Sequence, residues 1–422
     1  MTTRETRPVI LALPPHPPFP EENWAQYRRR LTGRLEPLRL EASRRLDLTL
    51  APLFTANALH GPAPEEALRE LRRGALGTEV SLVEWGDLPP ASQMDDVVLA
   101  IGLASAFKTS QGLSGCGVTV AVLDSGIDAN HPCLKVVDVV STCPEPKEIP
   151  GRHGTHCAGV IASRSLDHPG VAPGVRLLDI KVADTDGITS PGWLAQGIDE
   201  ALNRRADILS ISFGLNRFPK TSPDGHGWIC DNGRCILCRA VDHATACGAL
   251  VVAAVGNAHL RAQTLRREGL DLSAGIELLC PGQARGALAV GALDKEPFAG
   301  RLYPPSSRGP ADHGAFKPDL VAPGVDVLST IPSPARKDQS SSPGLFGYGS
   351  GTSVATAVVA GALALLVQRR RDKGLSDSPT EIRNELLHHC VRPLDATICP
   401  EAAGAGMLDL SQVESRQIGE GE

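Results

Sequence analysis

Residues Gly347 to Leu366 read GYGSGTSVATAVVAGALALL. Small residues crowd around Ser353, and an apolar run from Val354 to Val367 follows at once. At about fourteen residues the run is nearer a core helix than a membrane span. A helix that starts inside a Gly-rich loop leaves its first backbone N–H groups unpaired and its positive dipole end open. A serine hydroxyl beside such donors suits an acyl-transfer nucleophile, because negative charge develops on a neighbouring oxygen. Taken alone, Gly-Thr-Ser also fits an ordinary helix N-cap, so the rest of the chain must decide.

The chain has 422 residues, 42% of them apolar. That is long for a single core and suggests two or three domains. A formal net charge of −6 gives no reason to expect nucleic acid or an anionic membrane as partner. The opening MTTRETRPVILALPPHPPFP has no useful apolar segment and no small-residue cleavage site. The expectation is a cytoplasmic protein, with secretion by another route left open. The 11 cysteines, an odd number, fit reduced thiols better than a disulfide framework.

Residues 7 to about 88 read as a separate unit. RPVILAL is a strand, EENWAQYRRRLTGRLEPL a basic helix, and RRLDLTLAPLFTANAL one or two strands with alternation at Leu46, Leu48 and Leu50. APEEALRELRRGA is a helix with acids early and arginines late, and TEVSLVEWGD a last strand. The order β-α-β-β-α-β is that of a small α+β, ferredoxin-like unit. From about Gly102 the pattern becomes α/β. GCGVTVAVLDSGID, VRLLDIKVAD, DILSISFG, ALVVAAVGN and ALAVGALD are near-continuous apolar strands. Between them lie helices such as SPGWLAQGIDEALNRRA, with Ser190 as N-cap and Pro191 at the first helical position, and ILCRAVDHATACG, closed by Gly248. Strands of this kind form a parallel sheet with helices on both faces. Ligands of such sheets sit at the carboxyl ends of the strands, three of which read Asp124, Gly214 and Asn257.

AVLDSGIDANHP puts Asp124 at a strand end, and GRHGTHCAGVIAS puts His153 at the start of a second small-residue helix. A serine nucleophile needs a base, and the base needs a carboxylate to fix its tautomer. The region from about Gly102 to Leu410 resembles the subtilisin-like serine peptidases, the subtilase family, which share the chain order Asp, His, Ser. The resemblance is carried, in family order, by VAVLDSGIDANHP, GRHGTHCAGVIAS, GVAPGVRLLDIKV, ILSISFG, VVAAVGN, SSRGP, KPDLVAPG, GTSVATAVVAG and GAGMLDLSQV.

The resemblance implies a serine endopeptidase with Asp124 as orienting acid, His153 as general base, Ser353 as nucleophile and Asn257 as side-chain oxyanion donor. His156 would then be a helix-facing residue. A polypeptide substrate would add itself between Ser212-Phe213-Gly214 and a stretch around Gly187-Ile188-Thr189. The first specificity pocket would lie between Ser212–Gly214 and the segment of Ala253, Ala254 and Gly256. Small residues there leave room for a sizeable apolar or aromatic side chain at P1. No cofactor is needed for the chemistry. Structural calcium is compatible with the family, but only RSLDHP joins GVIAS to GVAPG, too short for the loop that wraps a tight calcium in many relatives. Ala357 stands where many relatives carry proline, which helix geometry tolerates.

The family also implies a role for the N-terminal unit. Residues 1–88 would be a propeptide that chaperones folding and inhibits intramolecularly, and 89–101 a linker with the processing site. Residues 102–412 would be the catalytic domain and 413–422 a polar tail. A permanently attached regulatory domain is the other reading. The segment after SISFG contains WICDNGRCILC, with Cys230, Cys235 and Cys238, and Cys247 follows. Zinc held by these four, a disulfide within CDNGRC and free thiols all remain open; the spacing lacks two C-x₂-C pairs. Cys157 is expected to pack inside its helix, and Cys133 and Cys143 flank one loop.

Overall fold

The structure, a computed structural model, describes residues 6–12, 24–48, 51–53, 58–73, 75–76, 81–84, 97, 100–101, 113–216, 230, 232–269, 272, 276–294, 300–333, 344–411 and 413. These fall into two compact units, one within residues 1–90 and one from residue 91 onward.

The first unit runs β1 (Thr6–Ala12), α1 (Trp24–Leu46), β2 (Ala51–Leu53), β3 (Ala58–Pro64), α2 (Glu65–Arg72) and β4 (Ser81–Glu84). Its sheet has the order β2-β3-β1-β4, with every neighbouring pair antiparallel. The expected strand across Leu46 and Leu48 is not one. Leu35, Leu38 and Ala42 set a helical stripe that carries α1 on to Leu46, and it packs against Leu68 and Leu71. Asp47, at φ +51°, turns the chain, and Leu48 folds back into the same small core. Leu50 lies outside the described residues.

The second unit contains β5 (Thr119–Asp124), β6 (Val136–Ser141), α3 (Arg152–Ala162), β7 (Arg176–Lys181), α4 (Pro191–Asn203), β8 (Ile208–Ile211), α5 (Ile236–Ala246), β9 (Leu250–Ala254), α6 (His259–Arg267) and β10 (Ala287–Leu293). It continues with β11 (Leu320–Pro323), β12 (Val327–Thr330), β13 (Phe346–Gly349), α7 (Thr352–Asp372), α8 (Pro379–His389), β14 (Val391–Arg392), α9 (Pro400–Ala403) and β15 (Met407–Leu408). The main sheet has the order β14-β15-β11-β10-β9-β8-β5-β7-β6, parallel from β6 through to β15, and β12 pairs with β13 in a separate hairpin.

Both sheet faces are covered, which explains the continuous apolar strands. Val120, Val122, Val252, Leu288 and Val290 point to one core shared with α3 and α7. Their alternate neighbours Ala121, Leu123, Leu209, Ile211, Val251 and Ala253 point to the other, shared with α4 and α5. Ser190 Oγ accepts from Trp193 N–H at 3.1 Å and caps α4, whose first residue is Pro191.

Helix α7 answers the question raised by its sequence. Its 21 residues are apolar enough by composition to cross a bilayer, yet its most apolar 18-residue stretch is entirely buried. It is the central core helix of the second unit, and Thr352 to Arg369 are all buried. Val97 and Ile101, placed in the linker of residues 89–101, are fully buried in the core that holds α7, and Leu410 N–H donates to Ile101 C=O at 2.6 Å. Val413, placed in the polar tail, packs there too. Residues 89–96 and 414–422 lie outside the described residues.

Leu363, fully buried at the centre of α7, sets a stability test. In a Ser353→Ala background, Leu363→Ala should lower unfolding stability by about 2–5 kcal/mol. Leu166→Ala, at a side chain 99% exposed, should change it by less than about 0.5 kcal/mol. Urea unfolding curves of the two variants check this.

Candidate active site

Strands β5, β8 and β9 are neighbours in the sheet, and all three run the same way. Their carboxyl ends therefore bring Asp124, the Ser212–Gly214 segment and the Asn257 loop to one edge. Asp124 is fully buried. Its Oδ1 accepts from Ser125 N–H at 2.7 Å and from Ser125 Oγ at 3.1 Å. His153, in the first turn of α3, places Nδ1 at 2.9 Å from Asp124 Oδ1 and 3.0 Å from Oδ2. The carboxylate only accepts, so Nδ1 carries the proton and Nε2 is left as an acceptor. This approach needs Gly154: a Cβ there would sit 2.5 Å from the Gly126 carbonyl oxygen and 3.1 Å from Asp124 Oδ1.

Packing around the His153 ring disfavours its charged form, but the Asp124 carboxylate outweighs this and raises the pKa above its ordinary value. Phe213 meets the ring edge-on, with centroids 5.3 Å apart. His156, by contrast, is buried under the β12–β13 hairpin with Nε2 at 2.9 Å from Val327 C=O, and burial pushes its pKa down to about 4. It stays neutral at ordinary pH.

Ser353 is the second residue of α7. Its carbonyl is held by Ser212 Oγ at 3.1 Å, and Cys157 Sγ lies 4.0 Å from the same oxygen. Cys157 Sγ, Asp124 and His153 also lie within 4.8 Å of one another, so Cys157 sits under all three expected groups. Burial, reinforced by the Asp124 charge, holds the Cys157 thiol well above its ordinary pKa, and the buried residue packs as expected for an inert side chain. Among the described residues the Ser353 N–H meets no acceptor and its hydroxyl makes no hydrogen bond.

Asn257 is exposed, with Oδ1 accepting from Thr352 N–H at 3.0 Å. Gly256 N–H in return donates to Thr352 Oγ1 at 3.2 Å. With its oxygen engaged, the Asn257 amide turns Nδ2 toward the start of α7. A Cβ on Gly351, which has φ +143°, would sit 3.2 Å from Asn257 Nδ2 and 3.4 Å from Ser353 Oγ. Glycine thus leaves a small space bounded by the hydroxyl and the amide.

The expected substrate walls are close but differ in detail. Gly187 approaches Phe213: a Cβ there would lie 4.0 Å from Phe213 Cε1. Ile188, however, has its main chain engaged. Its N–H donates to Asp184 Oδ1 at 2.8 Å, and its C=O accepts from Asp184 N–H at 3.0 Å. It offers the cleft an exposed side chain and no free strand edge. Ala253 pairs within the sheet to Ile211 and Ala289, and its methyl packs in the α4–α5 core. Ala254 closes the strand, buried, with its carbonyl against Gly282.

The room expected between Gly214 and Gly256 is narrowed by Leu279. A Cβ on Gly256 would lie 2.6 Å from Leu279 Cγ, and one on Gly214 would lie 3.0 Å from Leu279 Cβ. Sequence reasoning missed Leu279 because it is remote in the chain from both walls. It also missed Thr352 and Ser125, although both stand inside the quoted motifs. At the short loop after α3, Arg164 bridges to Pro169 and Ser163 Oγ donates to His168 C=O at 2.7 Å, closing a tight hairpin.

The sequence pattern of the Subtilase family matches residues 115–409. The chain is 31% identical over 347 residues to an intracellular serine protease of Paenibacillus polymyxa, spanning 80% of this chain and 92% of that protein. It is 33% identical over 265 residues to subtilisin E of Bacillus subtilis, covering 62% of this chain but only 58% of that relative's length. Its fold is similar to that of the prenylagaramide maturation protease PagA, with TM-score 0.56 and 27% identity over 74% of this chain and 98% of that one. The protease domain of PatA, solved as a point mutant, is similar with TM-score 0.54 and 27% identity over 72% and 97%. The family match over residues 115–409 and the likeness to two serine proteases at 31% and 33% identity define the class. The chain belongs to the subtilase family of serine proteases.

The two histidines provide a direct electrostatic test. In histidine NMR of the Ser353→Ala protein, the His153 ring should titrate above 6.5 and the His156 ring only near about pH 4. Asp124→Asn should bring the His153 midpoint down. A His153 midpoint unaffected by that change would remove the ion-pair account.

Proposed function

We propose that the chain is a serine endopeptidase working through Asp124, His153 and Ser353, with Asn257 and the Ser353 N–H as oxyanion donors. The observation that carries this reading is the pairing of His153 Nδ1 with Asp124 at 2.9 Å beside a helix-start serine whose own N–H is unengaged among the described residues. Ser353 Oγ attacks the scissile carbonyl carbon while His153 Nε2 takes its proton. The Ser353 N–H and Asn257 Nδ2 receive the developing oxyanion. The imidazolium, stabilised by Asp124, then protonates the leaving amine, and water hydrolyses the acyl-enzyme by the reverse proton path. These steps need no cofactor. The similarity to an intracellular serine protease supports action in the cytoplasm on polypeptides. The likeness to a maturation protease supports a restricted substrate set.

The N-terminal unit is assigned as an intramolecular inhibitor that the enzyme removes, on the strength of its β-α-β-β-α-β order. A fluorophosphonate should label wild type and leave Ser353→Ala unlabelled. Asn257→Ala should lower kcat by about 10²–10³-fold with little change in KM. Intact mass should show an N-terminally shortened wild type and a full-length Ser353→Ala. Equal labelling of both proteins would end the nucleophile assignment, and identical masses would end self-processing.

Leu279 governs the P1 side chain in this reading. Peptide-library profiling should show preference for small P1 residues. Leu279→Gly should raise kcat/KM for large apolar P1 residues relative to small ones. An unchanged profile would take Leu279 out of the pocket.

A further inference from the structure

Four cysteines that the proposed chemistry does not use converge from three places in the second unit. Cys230 precedes α5, Cys235 is its N-cap, Cys238 lies in its first turn, and Cys280 comes from the segment leading to β10. All four Sγ atoms lie within 4.8 Å of one another. Cys238 Sγ is 3.7 Å from Cys230 Sγ, 3.5 Å from Cys235 Sγ and 4.0 Å from Cys280 Sγ. A tetrahedral Zn²⁺ with Zn–S bonds near 2.3 Å sets its sulfurs about 3.8 Å apart. A disulfide would need about 2.05 Å. The spacing is therefore that of a four-sulfur shell around a shared centre.

We propose that Cys230, Cys235, Cys238 and Cys280 form a structural Zn²⁺ site. The surroundings suit thiolates bound to a metal. Cys238 N–H points at Cys235 Sγ at 3.5 Å, and the start of α5 adds a positive dipole end. The side chain of Gln283, itself fully buried, donates from Nε2 to Cys280 Sγ at 3.4 Å. Such N–H···S contacts from outside the ligand set orient and stabilise metal thiolates. Cys230, Cys238 and Cys280 are buried and Cys235 is half-buried, so the site is closed and leaves no position for substrate.

This corrects the grouping with Cys247. That residue follows the last residue of α5, an 11-residue helix about 16 Å long, at the end opposite Cys235. Its Sγ lies 3.5 Å from His243 Nε2. Cys280 takes the fourth place. Only one C-x₂-C pair, Cys235 and Cys238, is local, which is why spacing alone gave a weak signal.

The metal would also brace the substrate cleft. Leu215 N–H donates to Cys280 C=O at 2.9 Å, and Cys280 N–H donates to Leu215 C=O at 3.2 Å. Leu215 follows Gly214, and Cys280 follows Leu279, the side chain between the two glycine walls. Zinc at Cys280 thus anchors that pair of segments to α5.

The test uses full-length Ser353→Ala protein, made with zinc in the medium and purified without chelator. Elemental analysis should find about one zinc per chain. Replacement by Co²⁺ should give the visible d–d and sulfur-to-metal bands of a tetrahedral thiolate site. Cys238→Ser and Cys280→Ser should lose the zinc, while Cys247→Ser and Cys399→Ser keep it. Chelation of the Ser353→Ala protein should expose four more reactive thiols and lower Tm. Should the two ligand variants fail to fold, the Co²⁺ spectrum of the Ser353→Ala protein decides. Zinc far below one per chain with no thiolate–Co²⁺ spectrum, stoichiometric iron in its place, or a mass lower by the hydrogens of a disulfide would each overturn the proposal.

Discussion

The start of α7 is tied to the end of β9 by a reciprocal pair of hydrogen bonds, and the site depends on it. Gly256 N–H reaches Thr352 Oγ1, and Thr352 N–H reaches Asn257 Oδ1. The two bonds satisfy one of the orphan donors that every helix start exposes. They also orient the Asn257 amide, because an oxygen already engaged leaves only the nitrogen to face the cleft. A serine one residue further along the helix then shares its space with two kinds of donor: its own N–H and that amide. On the other side, Ser212 Oγ fixes the Ser353 carbonyl from the end of β8. The Ser353 segment is thus held from two adjacent strands of the sheet.

The same sheet explains how Asp124 and His153 pair closely without a large desolvation cost. Asp124 ends β5, buried, with Ser125 N–H, Ser125 Oγ and His153 Nδ1 all directed at its oxygens. A buried carboxylate without those donors would carry a large desolvation penalty. Gly154 lets α3 come close enough for His153 to complete the set. The second histidine of the same helix shows the contrast. His156 is buried against Val327 C=O without a carboxylate, and its pKa moves in the opposite direction. How readily each histidine takes up a proton is therefore decided by the neighbour it meets.

The parallel sheet and the three strand-end residues were legible because both depend on local patterns: unbroken apolar strands, Gly-rich helix starts and short motifs. The caps at Ser190 and Gly248 were legible for the same reason. What was missed depends on distance in the chain. Leu279 lies against both Gly214 and Gly256, and no periodicity links the three. Val97, Ile101 and Val413 looked peripheral by composition, yet tertiary packing draws them into the α7 core. In the N-terminal unit the alternation at Leu46 and Leu48 lost to a longer helical stripe, since α1 buries Leu35, Leu38 and Ala42 on one face before it reaches Leu46. Short period-2 signals are weak against an amphipathic helix already under way.

Cysteine usage shows how one residue type takes different chemistry from its surroundings. Cys157 lies close to Asp124, His153 and the Ser353 carbonyl, but it is buried beside a negative charge, which keeps it a thiol and a packing group. Cys280 is equally buried, yet its neighbours are three other sulfurs and a buried amide donor. A carboxylate repels a developing thiolate; a cation at the centre of four sulfurs stabilises all four. Because Leu279 and Cys280 are consecutive, one short segment carries both the side chain that stands against Gly214 and Gly256 and a sulfur of the proposed metal site. If both proposals hold, substrate selection and metal retention are for that reason mechanically coupled. A chain that lost its grip on Cys280 would loosen the Leu215 pairing and, with it, the wall on which Gly214 stands.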